Sequence, residues 1–153
     1  MAQVEQFLKE ISQYRSATLD TNAVIYFLDG TAGFIDLLEP LFELVEQGQM
    51  KLNLSVITEA ELLVKPYREN NKEVIKAVQF LAEDFPNIEV IPVTRRIARE
   101  AARIRSTLGL KLPDAIIIFT ALESSSEVLI GNDQELLQKP VSQLPSVILS
   151  RYL

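Results

Sequence analysis

The 153 residues include 21 acidic and 15 basic side chains, a formal net charge of −6, and 48% hydrophobic residues, which suits one globular core and argues against a disordered chain. Neither Cys nor His occurs, which excludes disulfides, thiolate zinc sites and imidazole as a ligand or proton shuttle. Any chemistry must rest on carboxylates, hydroxyls, Lys, Arg and Tyr, and any metal must accept oxygen ligands, as Mg2+ and Mn2+ do.

The start, MAQVEQFLKE, has neither a basic nor an apolar leader region, and no apolar run is long enough to span a bilayer. A cytoplasmic protein is the expectation. Val4, Phe7, Leu8 and Ile11 recur at helical spacing and predict an amphipathic helix over 3–14, in an N-terminal extension of residues 1–15 ahead of the first strand of a single domain spanning residues 1–153. Ala17 to Asp20 reads as a short buried strand, Ala23 to Leu28 and Phe34 to Val45 as helices parted by Asp29-Gly30, and Met50 to Leu54 as a second strand.

Ser55 can cap a helix through Val64 that Pro66 ends, followed by a helix over Lys72 to Phe85 and a strand over Ile88 to Pro92. Thr94 can cap a helix running to Thr107, with Gly109 as its stop, and Pro113 opens another in the first-turn position where its missing N–H does no harm. Glu127 to Ile130 is a fourth strand, Gln134 to Gln138 a short helix and Ser146 to Leu149 a fifth strand. This alternation predicts a three-layer α/β/α sandwich around a parallel sheet of four or five strands. Ligands of such sheets bind at the carboxyl ends of the strands, near the reversal of strand order.

Asp20 directly follows the first strand and Asp133 comes three residues after the fourth, so both belong to that edge. Asp114 opens a helix continued by Ala115-Ile116-Ile117-Ile118-Phe119, apolar on every side and therefore inside the protein. Each acid could simply cap a helix. Three together repel one another unless a cation or an unusual protonation state intervenes, and a divalent metal is the simpler resolution. In SVITEAELLVKP, Glu59 and Glu61 border opposite sides of an apolar arc of Val56, Ile57, Ala60, Leu63 and Val64, and periodicity does not choose between them.

In this order, LDTNAVIYFL, SVITEAELL, LGLKLPDAIIIFTAL and LIGNDQEL resemble the four signatures of PIN-domain ribonucleases, especially the VapC-type toxins of bacterial toxin and antitoxin pairs. The resemblance runs from residue 17 to about 138. It implies site acids at Asp20, Glu61, Asp114 and Asp133, and so selects Glu61 over Glu59. The family often carries a small hydroxyl residue two places before the fourth acid, where this chain has Gly131. RNA cleavage leaving a 5′-phosphate and a 3′-hydroxyl, a cognate antitoxin and a homodimer are further implications.

Without His or Cys, an acid cluster points to metal-assisted phosphodiester hydrolysis. Asp20, Asp114 and Asp133 are the expected ligands of Mg2+ or Mn2+, and Glu61 a ligand or orienting base. Thr21 and Asn22 order the turn after the first strand or bond an acid or phosphate. In TRRIAREAARIRSTLG, Arg95, Arg96, Arg99 and Arg103 form a stripe that reads as a solvated face or as a phosphate-steering surface. A PIN-like domain that binds RNA or a partner without cutting is the main alternative. A phosphorylation-switched receiver would use Lys139-Pro140, but this chain lacks the adjacent acid pair such a domain needs after the first strand. An aspartyl-phosphate phosphatase would need an acid at position 22, which is Asn.

Overall fold

The computed structural model describes residues 2–137, 141 and 144–153. Lys139-Pro140 and Gln138 lie outside the described residues. Five strands form one all-parallel sheet: β1 (Ser16–Leu19), β2 (Lys51–Ser55), β3 (Ile88–Ile91), β4 (Val128–Gly131) and β5 (Ser146–Ile148), in the order β3-β2-β1-β4-β5. The helices are α1 (Ala2–Ile11), α2 (Thr21–Asp29), α3 (Phe34–Glu46), α4 (Val56–Arg68), α5 (Lys72–Glu83), α6 (Arg95–Leu108), α7 (Leu112–Glu123) and α8 (Gln134–Leu137). A 3-10 turn over Leu149–Tyr152 closes the chain.

The two-residue period of the strands divides the sheet between two cores. Ala17, Leu19, Leu52, Leu54, Val128 and Ile130 point to the face covered by α1 to α5, where Leu38, Leu41 and Val45 of α3 are fully buried. Leu129 points to the other face, under Ile117, Ile118 and Ala121 of α7. Thr18 and Asn53 have this second parity and are buried but satisfied. The Thr18 and Ser126 hydroxyls lie 2.8 Å apart, and the Asn53 amide donates to Ser126 over 3.0 Å. Because burying an unpaired polar group is costly, this cluster penalises a slip in β1–β2–β4 pairing, whose register aligns Ala17 with both Leu52 and Val128.

Two expectations about elements change. Pro66 does not end α4. It is buried inside the helix, which continues to Arg68. So close to the helix end, proline forfeits little backbone bonding, and its burial offsets the loss. The apolar arc expected on α4 is not its buried face either: Thr58, Leu62 and Pro66 are buried, whereas Val56 and Val64 are exposed. The N-terminal helix, in turn, is built into the main core. Phe7 and Ile11 are fully buried, and the Phe7 ring meets Tyr152 edge-on at 5.4 Å. No helix among the described residues is long and apolar enough to cross a membrane.

Candidate active site

From β1 the chain winds outward through β2 to β3, then crosses back to β4 and β5, so strand order reverses between β1 and β4. The carboxyl ends of these two strands therefore leave a crevice between connections that depart in opposite directions. Asp20 and Asp133 stand at this crevice.

Asp20 continues the strand ladder by donating its backbone N–H to the Ile130 carbonyl at 3.0 Å, and its extended backbone starts α2. Its side chain is 2% exposed. Oδ1 accepts the Ala23 N–H at 2.8 Å, while Oδ2 accepts the N–H groups of Asn132 and Asp133 at 3.0 and 3.1 Å. Burial pushes this carboxyl above the usual carboxylate range. The three amides pull it down, and the Asp133 charge adds to the rise.

Asp133 caps α8, its Oδ1 accepting the Leu136 N–H at 3.2 Å. The capping reading is thus correct for Asp20 and Asp133, and it coexists with a place at the crevice. Asp114 is different. The cap of α7 is Lys111, and Asp114 sits in the first turn, half-buried, on a helix anchored by Ala115 to Ile118. Burial first, then the charges of Asp133 and Glu61, push its carboxyl up to about 6. Lys111 opposes the rise, and Asp20 adds to it. Glu61 reaches the crevice from α4, and the Thr21 hydroxyl donates to its Oε1 over 2.6 Å, with the Thr58 hydroxyl 3.3 Å from that of Thr21.

Asp20, Glu61, Asp114 and Asp133 line one cavity of about 310 Å³, to which Thr21 and Asn22 also contribute. Glu59 instead lines an apolar recess toward α5 and β3, so the geometry separates the two glutamates that periodicity left equivalent. Arg99 is not among the cavity-lining residues; it lies exposed on α6. On the same stripe, Arg96 binds Glu123 at 2.7 Å and covers the Phe119 ring, and Arg103 lies 3.5 Å from Glu100. Two residues here are not evident from sequence: Lys111, a cavity-lining cation whose only signal is its place three residues before Asp114, and Thr58, behind Thr21.

Among the described residues, no three acids close around a single cation with the side chains as placed. Mg2+ keeps much of its water shell and is usually held through one or two carboxylates, so an open cavity walled by oxygen-only acids fits a hydrated hard ion better than a dry cage would. Mutual repulsion, visible at Asp114, is the electrostatic condition that such an ion relieves.

The PIN domain model matches residues 17–141, a span that holds all four acids. The chain belongs to the PIN domain family. Solved structures similar to this PIN domain include VapBC2 from Rickettsia felis bound to a promoter DNA fragment, at 18% identity and TM-score 0.64, covering 87% of this chain and 98% of that one. VapBC-1 from nontypeable Haemophilus influenzae matches at 24% identity and TM-score 0.66, covering 88% and 98%. DNA-bound VapBC from Salmonella typhimurium matches at 20% identity and TM-score 0.61, with the same coverage. At these identities the likeness speaks for the fold, the five-stranded PIN-like α/β sheet described above. No curated protein sequence matches the chain.

Proposed function

We propose that this PIN domain protein is a Mg2+- or Mn2+-dependent endoribonuclease that hydrolyses RNA phosphodiesters as the toxin of a toxin–antitoxin pair. The observation that carries this reading is the convergence of Asp20, Glu61, Asp114 and Asp133 on one open cavity at the strand-order reversal of a chain without His or Cys. Asp20 and Asp114 are the principal ligands, with Asp133 a further ligand, direct or through water. When bound, a divalent ion supplies an activated water and neutralises phosphate charge. Glu61, held by Thr21, orients the attacking water or accepts its proton. Asn22 and Lys111 line the same cavity, where an amide and a cation suit phosphate oxygens. Arg99, on the outer face, has no part in this arrangement.

The similar VapBC structures support an antitoxin as partner. Val64 and Tyr67, more than half exposed on α4, offer apolar surface for that protein or for a second copy of the chain. The test compares wild type and Asp20→Asn on RNA with Mg2+. Wild type cleaves and the variant loses at least about 100-fold in rate while keeping its circular dichroism spectrum. Equal cleavage by the two proteins defeats the assignment. Tight RNA binding by both with no cleavage by either supports a binding domain instead.

A further inference from the structure

Four glycines here adopt positive φ, Gly30, Gly33, Gly48 and Gly109, and Gly131 is not one of them. Its backbone, at the end of β4, suits any L-residue, so conformational freedom does not explain glycine at this place. Space does. A Cβ built on Gly131 would lie within 2.5 Å of Cγ, Oδ1 and Oδ2 of Asp20, and these are its three nearest atoms. Glycine inside a strand often marks the close approach of another group. Here that group is a carboxylate.

Asp20 cannot give way without loss. Its backbone is tied to Ile130, and its two carboxyl oxygens are fixed by three amides on two elements, Ala23 in α2 and Asn132 and Asp133 beyond β4. With both of its bonds directed at the Asn132–Asp133 turn, Oδ2 serves as the anchor. Oδ1, with one amide bond, retains unused acceptor capacity. The Asp20–Asp133 spacing is then set by a backbone bond rather than by two free side chains.

We propose that Gly131 is a positioning residue of the acid site: its missing side chain admits the Asp20 carboxylate against the β4–α8 turn and fixes which oxygen Asp20 presents to a divalent ion. The proposal rests on the metal-site reading above for its consequence, though not for its geometry. With Asp20 seated as it is in this chain, a side chain at 131 is expected to push it out of its amide cradle while leaving the strand backbone intact.

Gly131→Ala tests this in the full chain through three readouts. In metal-free wild type, NMR shows the Asn132 and Asp133 amide protons protected from exchange, and in Gly131→Ala both lose protection and shift. Titration with Mn2+ alone gives a dissociation constant about tenfold higher or more for the variant, as expected when a ligand's supporting hydrogen bonds are removed. In a double-mutant cycle, Gly131→Ala lowers the melting temperature of wild type but causes no further fall in the Asp20→Ala background, where the three atoms nearest the added Cβ are gone. The cycle also covers the case in which Gly131→Ala alone folds poorly, since the pair of substitutions then restores folding. Unchanged amides and Mn2+ affinity, or an equal loss of stability in both backgrounds, overturn the proposal. Wild type that binds no Mn2+ yet passes the amide and cycle tests defeats the metal reading and leaves the positioning role standing.

Discussion

Asp114 projects from a helix whose next four residues, Ala115 to Ile118, are buried, so it cannot retreat from the three carboxylates around its cavity. Its carboxyl is raised from 3.8 to about 6, chiefly by burial and then by Asp133 and Glu61. In that window the folded chain binds more protons than the unfolded chain, so metal-free stability falls as pH rises from 3.8 to about 6, and the loss is complete above that range. Because the side chain is only half-buried, water screens much of the cost, and about 1 kcal/mol remains after that discount. Asp114→Asn therefore raises the melting temperature of the metal-free protein by about 2–4 °C near pH 7.5, and the difference vanishes near pH 4. Scanning calorimetry with EDTA checks this, and equal melting at both pH values refutes it. If Asp114 is a metal ligand as proposed, the same titration predicts that Mn2+ binding strengthens as pH rises through about 6. Much of the candidate site is legible at this scale, because acids beside strand ends are a local pattern. Glu61 was not separable from Glu59 by periodicity, since the two flank the helix symmetrically and only the packing of α4 against β2 and α5 decides which faces the crevice.

Among the elements, the strand and helix alternation is legible directly, because buried parallel strands are short apolar runs and α2, α4, α5 and α6 each carry a side-chain cap. The N–H of Ile57 is met by Ser55 and that of Ile97 by Thr94, as residue type alone suggests. Local preference gives way where tertiary packing overrides it. Pro66 is carried within α4, and α4 buries Thr58 in preference to Val56 and Val64 because its position against α2 and α5 sets the buried face. Helix α1 was legible as a helix, but its depth was not. Phe7, fully buried against Tyr152 in the main core, ties the chain's two ends together. Phe7→Ala should cost about 3–5 kcal/mol, the range for removing a buried aromatic ring. Urea unfolding checks it: a lower midpoint with an unchanged slope is expected, and an unchanged midpoint shows that α1 adds nothing to the core.

At the scale of the whole molecule, the −6 charge and an acid-lined cavity form a surface that repels RNA unless cations intervene, so cleavage should depend on divalent ions from the binding step onward. The arginines of α6 do not offset this at the cavity, because none of them lines it and two are engaged with glutamates of α6 and α7. The fold places Asp20 and Asp133 just beyond the carboxyl ends of the adjacent strands β1 and β4, at the reversal of strand order, and brings Glu61 and Asp114 over them from two helices. No segment of the sequence shows that convergence alone, since it is a property of topology. Without His, the chain lacks the usual acid–base pair for attack by the ribose 2′-hydroxyl, so water is the expected nucleophile. The most direct test is the chemistry of the cut ends on a defined RNA with Mg2+, by mass spectrometry, with EDTA as control. The expected products are 5′-phosphate and 3′-hydroxyl ends that form only with the metal; 2′,3′-cyclic phosphate ends or cleavage unaffected by EDTA would contradict a metal-dependent hydrolase.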